Sequence, residues 1–223
     1  MWPVISSQVV FQSPAAAGTA GRDEGLRNRK KLRTRLAIVD AALALFADQG
    51  YEATTIEQIA ERAEVSTTTF FRYFPTKGDV VLGDHGTRLP ALRDAIVAAP
   101  PEVSEMAAVR EALLSAWVPA IDPERTLLTA RAVSTSHVLR GLSFDVGVGW
   151  LKVVASALAR RRGLRRADVR SELAARTAMG VFGSAIESWT AHGCRGDLGE
   201  VLERRFDVMH ELQRSCVEPD RPG

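Results

Sequence analysis

Cysteine is nearly absent from this chain of 223 residues: Cys194 and Cys216 are the only two. They are too few to staple a small secreted domain and are spaced unlike a metal knuckle, so a reducing, cytoplasmic setting is the expectation. Long apolar runs are also missing. No stretch approaches the roughly 20 uncharged residues that a bilayer-spanning helix needs, and no Lys or Arg precedes the apolar Met1-Trp2-Pro3-Val4-Ile5 opening as a secretion signal requires. There is little excess charge of either sign: the net charge of +2 does not by itself imply a polyanionic partner, so the distribution of the basic groups must decide. Catalytic signatures are lacking as well. The chain has no His-Glu-x-x-His and no Gly-x-Ser-x-Gly, and its four histidines are scattered at 85, 137, 192 and 210. No metal site and no cofactor is expected.

What the chain does have is ordinary globular material, 46% hydrophobic and 25% charged, enough to bury a core in one domain or in two small ones that share it. The first 25 or so residues, rich in Ser, Ala, Gly and Pro, read as a flexible leader. From Leu26 onward the periodicity is helical. Ile38, Ala41, Ala42, Leu45 and Phe46 form one apolar stripe on a helix from about Asn28 to Gln49, which Gly50 stops. Thr54 or Thr55 then caps a helix over Ile56 to Ala63, with Gln58 completing a capping box for Thr55. Ser66 opens a third helix that Pro75 halts. Thr76 caps a fourth, expected to continue from Lys77 to about Ala98. Five more are expected at about Ser104 to Ile121, Pro123 to Leu139, Ser143 to Arg162, Ala167 to His192 and Leu198 to Cys216. No alternating run argues for a strand and no repeat of 20 to 50 residues is present, so the fold class is all-α.

The informative segment is Thr54 to Lys77, two short helices joined by Glu64-Val65 after a longer one, which is the layout of a helix-turn-helix. Thr67, Thr68 and Thr69 open its second short helix with small hydroxyl side chains able to approach base edges or phosphates, and Arg72 and Tyr73 add a charged fork and a phenolic donor. Lys77 is expected to meet a phosphate at the start of the next helix. Upstream, Arg22, Arg27, Arg29, Lys30, Lys31, Arg33 and Arg35 form the basic cluster that the net charge conceals, and a basic arm of this kind adds salt-dependent affinity for DNA. The same threonines can also be mere capping groups and the arm a solvated tail. Phe46, Ile59, Val65, Phe70 and Phe74 fall on the inward stripe and read as core.

Over about Arg29 to Leu82 the sequence resembles the TetR family of one-component transcriptional repressors. The resemblance rests on Ala41-Ala42-Leu43-Ala44-Leu45-Phe46, Gly50-Tyr51-Glu52-Ala53-Thr54-Thr55, Ile59-Ala60, Val65-Ser66 and Thr69-Phe70-Phe71-Arg72-Tyr73-Phe74-Pro75-Thr76-Lys77. It implies an all-helical homodimer with an N-terminal three-helix DNA-binding head and a C-terminal ligand-binding and dimerisation domain. Carried over by position, Thr55, Ser66, Thr67, Thr68, Phe71, Tyr73 and Lys77 fall where family members touch DNA. Two residues depart from the pattern. Glu64 stands at a turn position usually held by Gly, where a left-handed backbone costs roughly 1 kcal/mol or more. Phe71 stands where the family often has a phosphate-binding Tyr. The head, together with Ala178 to Gly193, further resembles regulators of the actinobacterial mycofactocin group, whose C-terminal domain is classed with acyl-CoA-like ligands.

The boundaries that follow are a leader at 1–25, a DNA-binding head at 26–82, a ligand-binding and dimerisation domain at 83–216 and a tail at 217–223. In the second half Trp117, Phe144, Trp150, Phe182 and Trp189 sit among small and aliphatic residues, either packing a core or lining an apolar pocket. His137 and Arg140 are its polar candidates, three residues apart on one helix. The run Arg160, Arg161, Arg162, Arg165 and Arg166 is open to two explanations: a cationic helix end that complements the macrodipole, or a docking place for an anionic effector. Leu173, Met179, Val181, Ile186 and Trp189 on one helix, with Val201, Leu202, Phe206, Val208 and Leu212 on the next, could form a four-helix bundle with a second copy. The expectation is a repressor of palindromic double-stranded operator DNA, released by a small, largely apolar effector and without a membrane partner. A transcriptional activator, a ligand-independent DNA-binding protein and a helical enzyme acting on lipid thioesters are the alternatives.

Overall fold

The computed structural model describes residues 20–81 and 85–215, with side chains described for 27–81 and 88–215. Among these residues there is no strand. Ten α-helices follow one another: α1 Ala20–Gln49, α2 Ile56–Arg62, α3 Thr67–Tyr73, α4 Lys77–Val81, α5 His85–Ala98, α6 Glu105–Ala112, α7 Pro123–Thr135, α8 His137–Arg161, α9 Val169–Ala191 and α10 Leu198–Ser215. A π turn over Leu113–Trp117 and a 3-10 turn over Val118–Ala120 extend α6.

The chain divides into two units, Met1–Ala37 and Ile38–Gly223. In the first, α1 already begins at Ala20, so the expected leader is helical from there; Met1 to Thr19 lie outside the described residues. Arg27, Arg29, Lys30, Lys31 and Arg33 are all exposed on this helix. In the second unit two hydrophobic clusters form. One gathers Ile38, Ala42, Phe46, Ile59, Phe70, Phe74 and Val80, and it also takes in Ala132 of α7 and Leu139 of α8, with Leu128, Val133 and Leu142 packed against it. The helix-turn-helix therefore shares its core with the α7–α8 corner. The other cluster joins Leu92 and Ile96 of α5, Val109 and Leu113, Val154 and Leu158 of α8, Phe182 of α9, and Leu202 and Phe206 of α10.

Several boundaries differ from those the periodicity predicts, each for a local reason. The helix expected to run to Ile121 stops being α-helical at Ala112, because Pro119 has no N–H to continue the ladder and the chain passes through π and 3-10 turns instead. The helix expected from Pro123 to Leu139 ends at Thr135, and α8 starts at His137 rather than Ser143. The break is at Ser136, whose hydroxyl accepts from the Leu139 N–H as the N-cap of α8. Of the helix expected from Lys77 to Ala98, Lys77–Val81 and His85–Ala98 are helical, and 82–84 lie outside the described residues. Cys216, the predicted last residue of α10, lies outside them too.

Candidate nucleic-acid interface and effector core

The helix-turn-helix is assembled from caps. Thr55 and Gln58 bond reciprocally at the start of α2, Gln58 N–H to Thr55 Oγ1 at 3.2 Å and Thr55 N–H to Gln58 Oε1 at 2.9 Å. At the other end of α2, Glu64 takes the left-handed conformation with φ 54°. Its N–H reaches Glu61 O at 3.0 Å, while the Val65 N–H reaches Ala60 O at 2.9 Å. That pair of bonds is a Schellman closure, so the turn keeps its shape without glycine. Ser66 then caps α3: its Oγ accepts from Thr69 N–H at 3.1 Å and donates to Thr69 Oγ1 at 3.0 Å. The Ser66 hydroxyl, at a position where the resemblance implies a DNA contact, is engaged inside the head.

The seven residues of α3 leave Thr68, Phe71 and Arg72 exposed and Thr67 and Tyr73 half-buried, while Phe70 is completely covered. Residues 68, 71 and 72 stand three and four apart and share one face, and α3 carries no acidic residue. The Arg72 guanidinium lies 5.4 Å from the Tyr73 ring centroid, within cation–π range. The expected reading residues Thr67, Thr68, Phe71, Arg72 and Tyr73 thus sit on one short helix, and Thr55 is exposed at the head of α2.

Lys77 departs from its expected place. Its Nζ donates to the carbonyls of Tyr51 at 2.7 Å, Thr54 at 2.7 Å and Glu52 at 3.3 Å, and it stands 4.3 Å from the Tyr51 ring centroid. Three donors meet three carbonyls, which occupies the ammonium. Burial pushes the Lys77 pKa below the ordinary lysine value, and the charge of Glu52 partly opposes this. Lys77 is a clasp that ties the start of α4 to the α1–α2 loop.

That loop is also held by the α7–α8 corner. The Ser136 hydroxyl, from a residue 1% exposed, donates to Glu52 Oε1 at 2.6 Å. This bond is the first cause of a Glu52 pKa below the usual carboxylate range, with the glutamate's own backbone N–H next. Arg125 of α7 forks onto Asp40 of α1 at 2.6 and 2.9 Å. Gly78 is so close to α8 that a β-carbon there would run into the Leu142 side chain. Sequence reasoning missed Glu52, Ser136, Asp40 and Arg125. Of these only Ser136 carries a local signal, a cap hydroxyl ahead of an apolar helix.

The residues expected at an effector separate into groups. Trp117, Trp150 and Phe182 come together, with Trp117–Trp150 centroids 4.7 Å apart at 63° and Trp117–Phe182 centroids 6.3 Å apart at 79°. Trp189 is buried nearby in the same cluster, but its Nε1 donates to Gly196 O at 3.1 Å and holds the α9–α10 loop. Phe144 is a correction: it is 73% exposed on the outer face of α8. His137 and Arg140 are exposed in the first turns of α8, where Arg140 donates to His137 Nδ1 and to Ser134 O at 2.7 Å each. Leu139 between them belongs to the head's core, so the pair joins the head side and not the aromatic trio. In the arginine run, Arg161 donates to the carbonyls of Ala99, Pro100 and Val103, and Arg162 bonds Asp168 at 3.0 Å. Arg160, Arg165 and Arg166 are exposed.

Residues 38–83 match the family model of bacterial regulatory proteins of the tetR family, and residues 103–213 match that of the MftR C-terminal domain. The protein of Mycobacterium tuberculosis named as the mycofactocin biosynthesis transcriptional regulator MftR is 30% identical over 184 residues, 81% of this chain and 91% of that one. The chain belongs to the TetR family of transcriptional regulators. Within that family the repressor KstR of Rhodococcus jostii is 48% identical over 65 residues, 29% of this chain and 30% of its own. The TetR fold is shared with FadR of Bacillus subtilis, solved in complex with stearoyl-CoA, at a TM-score of 0.54 and 18% identity over 78% of this chain and 96% of that one. TetR membership makes the chain a DNA-binding regulator and not an enzyme. One described helix, α8, is long and apolar enough to cross a membrane, which corrects the expectation that no stretch approaches that length; its Leu139 and Leu142 serve one cluster and its Trp150, Val154 and Leu158 the other, while Val138 and Phe144 are exposed.

Proposed function

We propose that the chain is a repressor that binds palindromic operator DNA as a homodimer in the cytoplasm and is released by a largely apolar, acyl-CoA-like effector. The observation that carries this reading is the outward face of α3, with Thr68, Phe71 and Arg72 held in place by capped helices, in a head whose core continues into α7 and α8. Thr67, Thr68, Phe71, Arg72 and Tyr73 would enter the major groove, and Arg33 with its basic neighbours would add salt-dependent affinity. The reading head spans 26–82 and the regulatory domain 83–216. Dimerisation uses the exposed apolar side chains Leu173 of α9 and Val208 and Leu212 of α10, sited to form an isologous bundle.

The effector's apolar part inserts beside Trp117, Trp150 and Phe182, and Phe144, His137, Arg140 and Trp189 stay outside that contact. Support for the acyl-CoA class comes from the fold shared with a regulator crystallised with stearoyl-CoA. Release requires the effector to bind the DNA-incompetent conformation more tightly, since equal affinity for both would shift nothing. Selection of binding duplexes from a random library by the full chain, followed by gel shift of the winner, tests the first half. A two-fold symmetric consensus is expected, and no enrichment overturns DNA reading. Titrating that complex with stearoyl-CoA, stearate and free coenzyme A tests the second half: release by the thioester alone is expected, and no release by any of the three overturns the effector class.

A further inference from the structure

Between Ile38 and Val81 one large apolar side chain stays in solvent. Phe71 is 53% exposed, whereas Phe46, Ile59, Phe70 and Phe74 are at most 2% exposed. Phe71 is not needed to close the core, because its one described ring contact is edge-on to the buried Phe70, with centroids 5.6 Å apart at 88°. It projects from the middle of the reading face, with Thr68 one turn before it and Arg72 beside it. A phenyl ring has neither donor nor acceptor, so it can neither bond a phosphate nor distinguish bases by their hydrogen-bonding edges. What it can gain is cover for apolar surface. On the floor of a major groove the apolar group on offer is the C5 methyl of thymine. The face has the charge sign for a duplex and no carboxylate on α3 to oppose it.

We propose that Phe71 is a specificity-determining residue that packs on thymine methyl groups in each operator half-site, so that thymine occupies a fixed register there. Thr68 contributes its own methyl to the same surface. This deepens the DNA-reading function above and rests on it.

The test uses the duplex recovered by selection, prepared once with thymidine and once with 2′-deoxyuridine. The exchange removes the C5 methyl and leaves base pairing and phosphates intact. The wild-type chain is expected to bind the uridine duplex about fourfold more weakly for each contacted methyl lost, and single exchanges along the half-site map the register. Phe71→Ala is expected to bind the thymidine duplex more weakly and to lose most of the preference between the two duplexes, leaving only the part that Thr68 supplies. Phe71→Leu, which keeps apolar bulk at the position, is expected to retain a reduced preference, and it serves as the second variant should the truncation fail to fold. Equal wild-type affinity for both duplexes overturns the proposal, as that result puts the ring against sugar or phosphate. An undiminished preference in both variants overturns it as well, since the methyls are then read by another group. Failure of the selection itself overturns the DNA-reading function, a result distinct from either of these.

Discussion

Between Gln49 and Lys77 the chain is braced by side-chain bonds, whereas between Arg140 and Val153 of α8 no residue is fully buried. In the first region Gln49 Nε2 donates to Gln58 Oε1 at 2.9 Å, Thr54 Oγ1 donates to Gly50 O at 2.8 Å, and Lys77 gathers three carbonyls. Helices of seven residues are marginal alone, and these stand because each end is tied to something. In the second region α8 leaves the head's cluster after Leu142 and joins the other cluster at Trp150 and Val154. On the way it carries Gly147 and Gly149, and no atom outside the helix backbone lies within 4 Å of where a β-carbon would stand on either. Glycine there fills no steric need and weakens the helix. A reader needs fixed side chains; a connector between two cores gains from compliance.

The sharpest way to break this contrast is to open the clasp. Lys77→Ala leaves the carbonyls of Tyr51, Glu52 and Thr54 without their shared donor, and the loss of charge-assisted bonds is expected to cost about 2 to 3 kcal/mol. Urea unfolding of the variant measures it. Lys77→Arg is expected to recover little, because the three carbonyls converge on a single nitrogen, and a guanidinium spreads its donors over three nitrogens in a plane. If Lys77→Ala melts with the wild type but binds DNA less tightly at every sequence, Lys77 is a phosphate contact after all.

A smaller effect is expected at the seam between the two regions. Ser136→Ala removes the N-cap of α8 together with the bond to Glu52, and the lost cap costs about 1 kcal/mol. The measurement that separates this from a general loss of stability is hydrogen exchange, with the faster amides confined to the first turn of α8 and the Tyr51–Thr54 loop. Exchange that rises uniformly would show that head and α8 do not meet through this bond.

The two regions were unequally legible in the sequence. The head could be read because its information is local: Thr55 with Gln58, Ser66 ahead of an apolar turn and Pro75 at the end each act within a few residues. The boundaries of α2 and α3 accordingly fall within a residue of the expected ones, whereas α1, with no such cap to mark its start, begins at Ala20 and not at about Asn28. Lys77 was misread because nothing near it in sequence reveals that three carbonyls lie 23 to 26 residues upstream. Asp40 with Arg125 and Glu52 with Ser136 are 85 and 84 residues apart, beyond any periodicity. Among the aromatics, spacing gave no means of telling Trp117, whose cluster closes around it, from Phe144 on an open helix face, since composition around both is similar.

Next in size is the test of compliance. Gly147→Ala and Gly149→Ala place a methyl in open space on a helix, so each is expected to stabilise the chain by about 0.5 to 1 kcal/mol, read as a rise in Tm. The doubly substituted chain should still bind its selected duplex but need more effector to leave it, because bending α8 has become more costly. A chain that becomes more stable with an unchanged effector response would place the moving part elsewhere than in this segment.

The gentlest probe is acid, acting at the far end of the same connector. Asp168 caps α9 by accepting from the Ser171 N–H at 2.9 Å and its hydroxyl at 2.7 Å, and it is paired with Arg162 just past the end of α8. The Ser171 bonds are the leading cause that lowers its pKa from 3.8 to about 2. A carboxylate with a depressed folded pKa stabilises the fold above its unfolded value, and that contribution is lost as pH falls through the folded one. The loss at Asp168 therefore falls between about pH 4 and pH 2. Asp168→Asn keeps a side-chain acceptor for the cap but removes the titration, so its acid limb should be shallower than the wild type's in melts over that range. Glu52, whose pKa is lowered chiefly by Ser136, adds a second acid-sensitive bond at the head end of α8, and Ser136→Ala should remove that part alone. If the two substitutions flatten the acid limb independently, the ends of the connector are secured by separate carboxylates; if either one abolishes it, they act as a single cooperative unit.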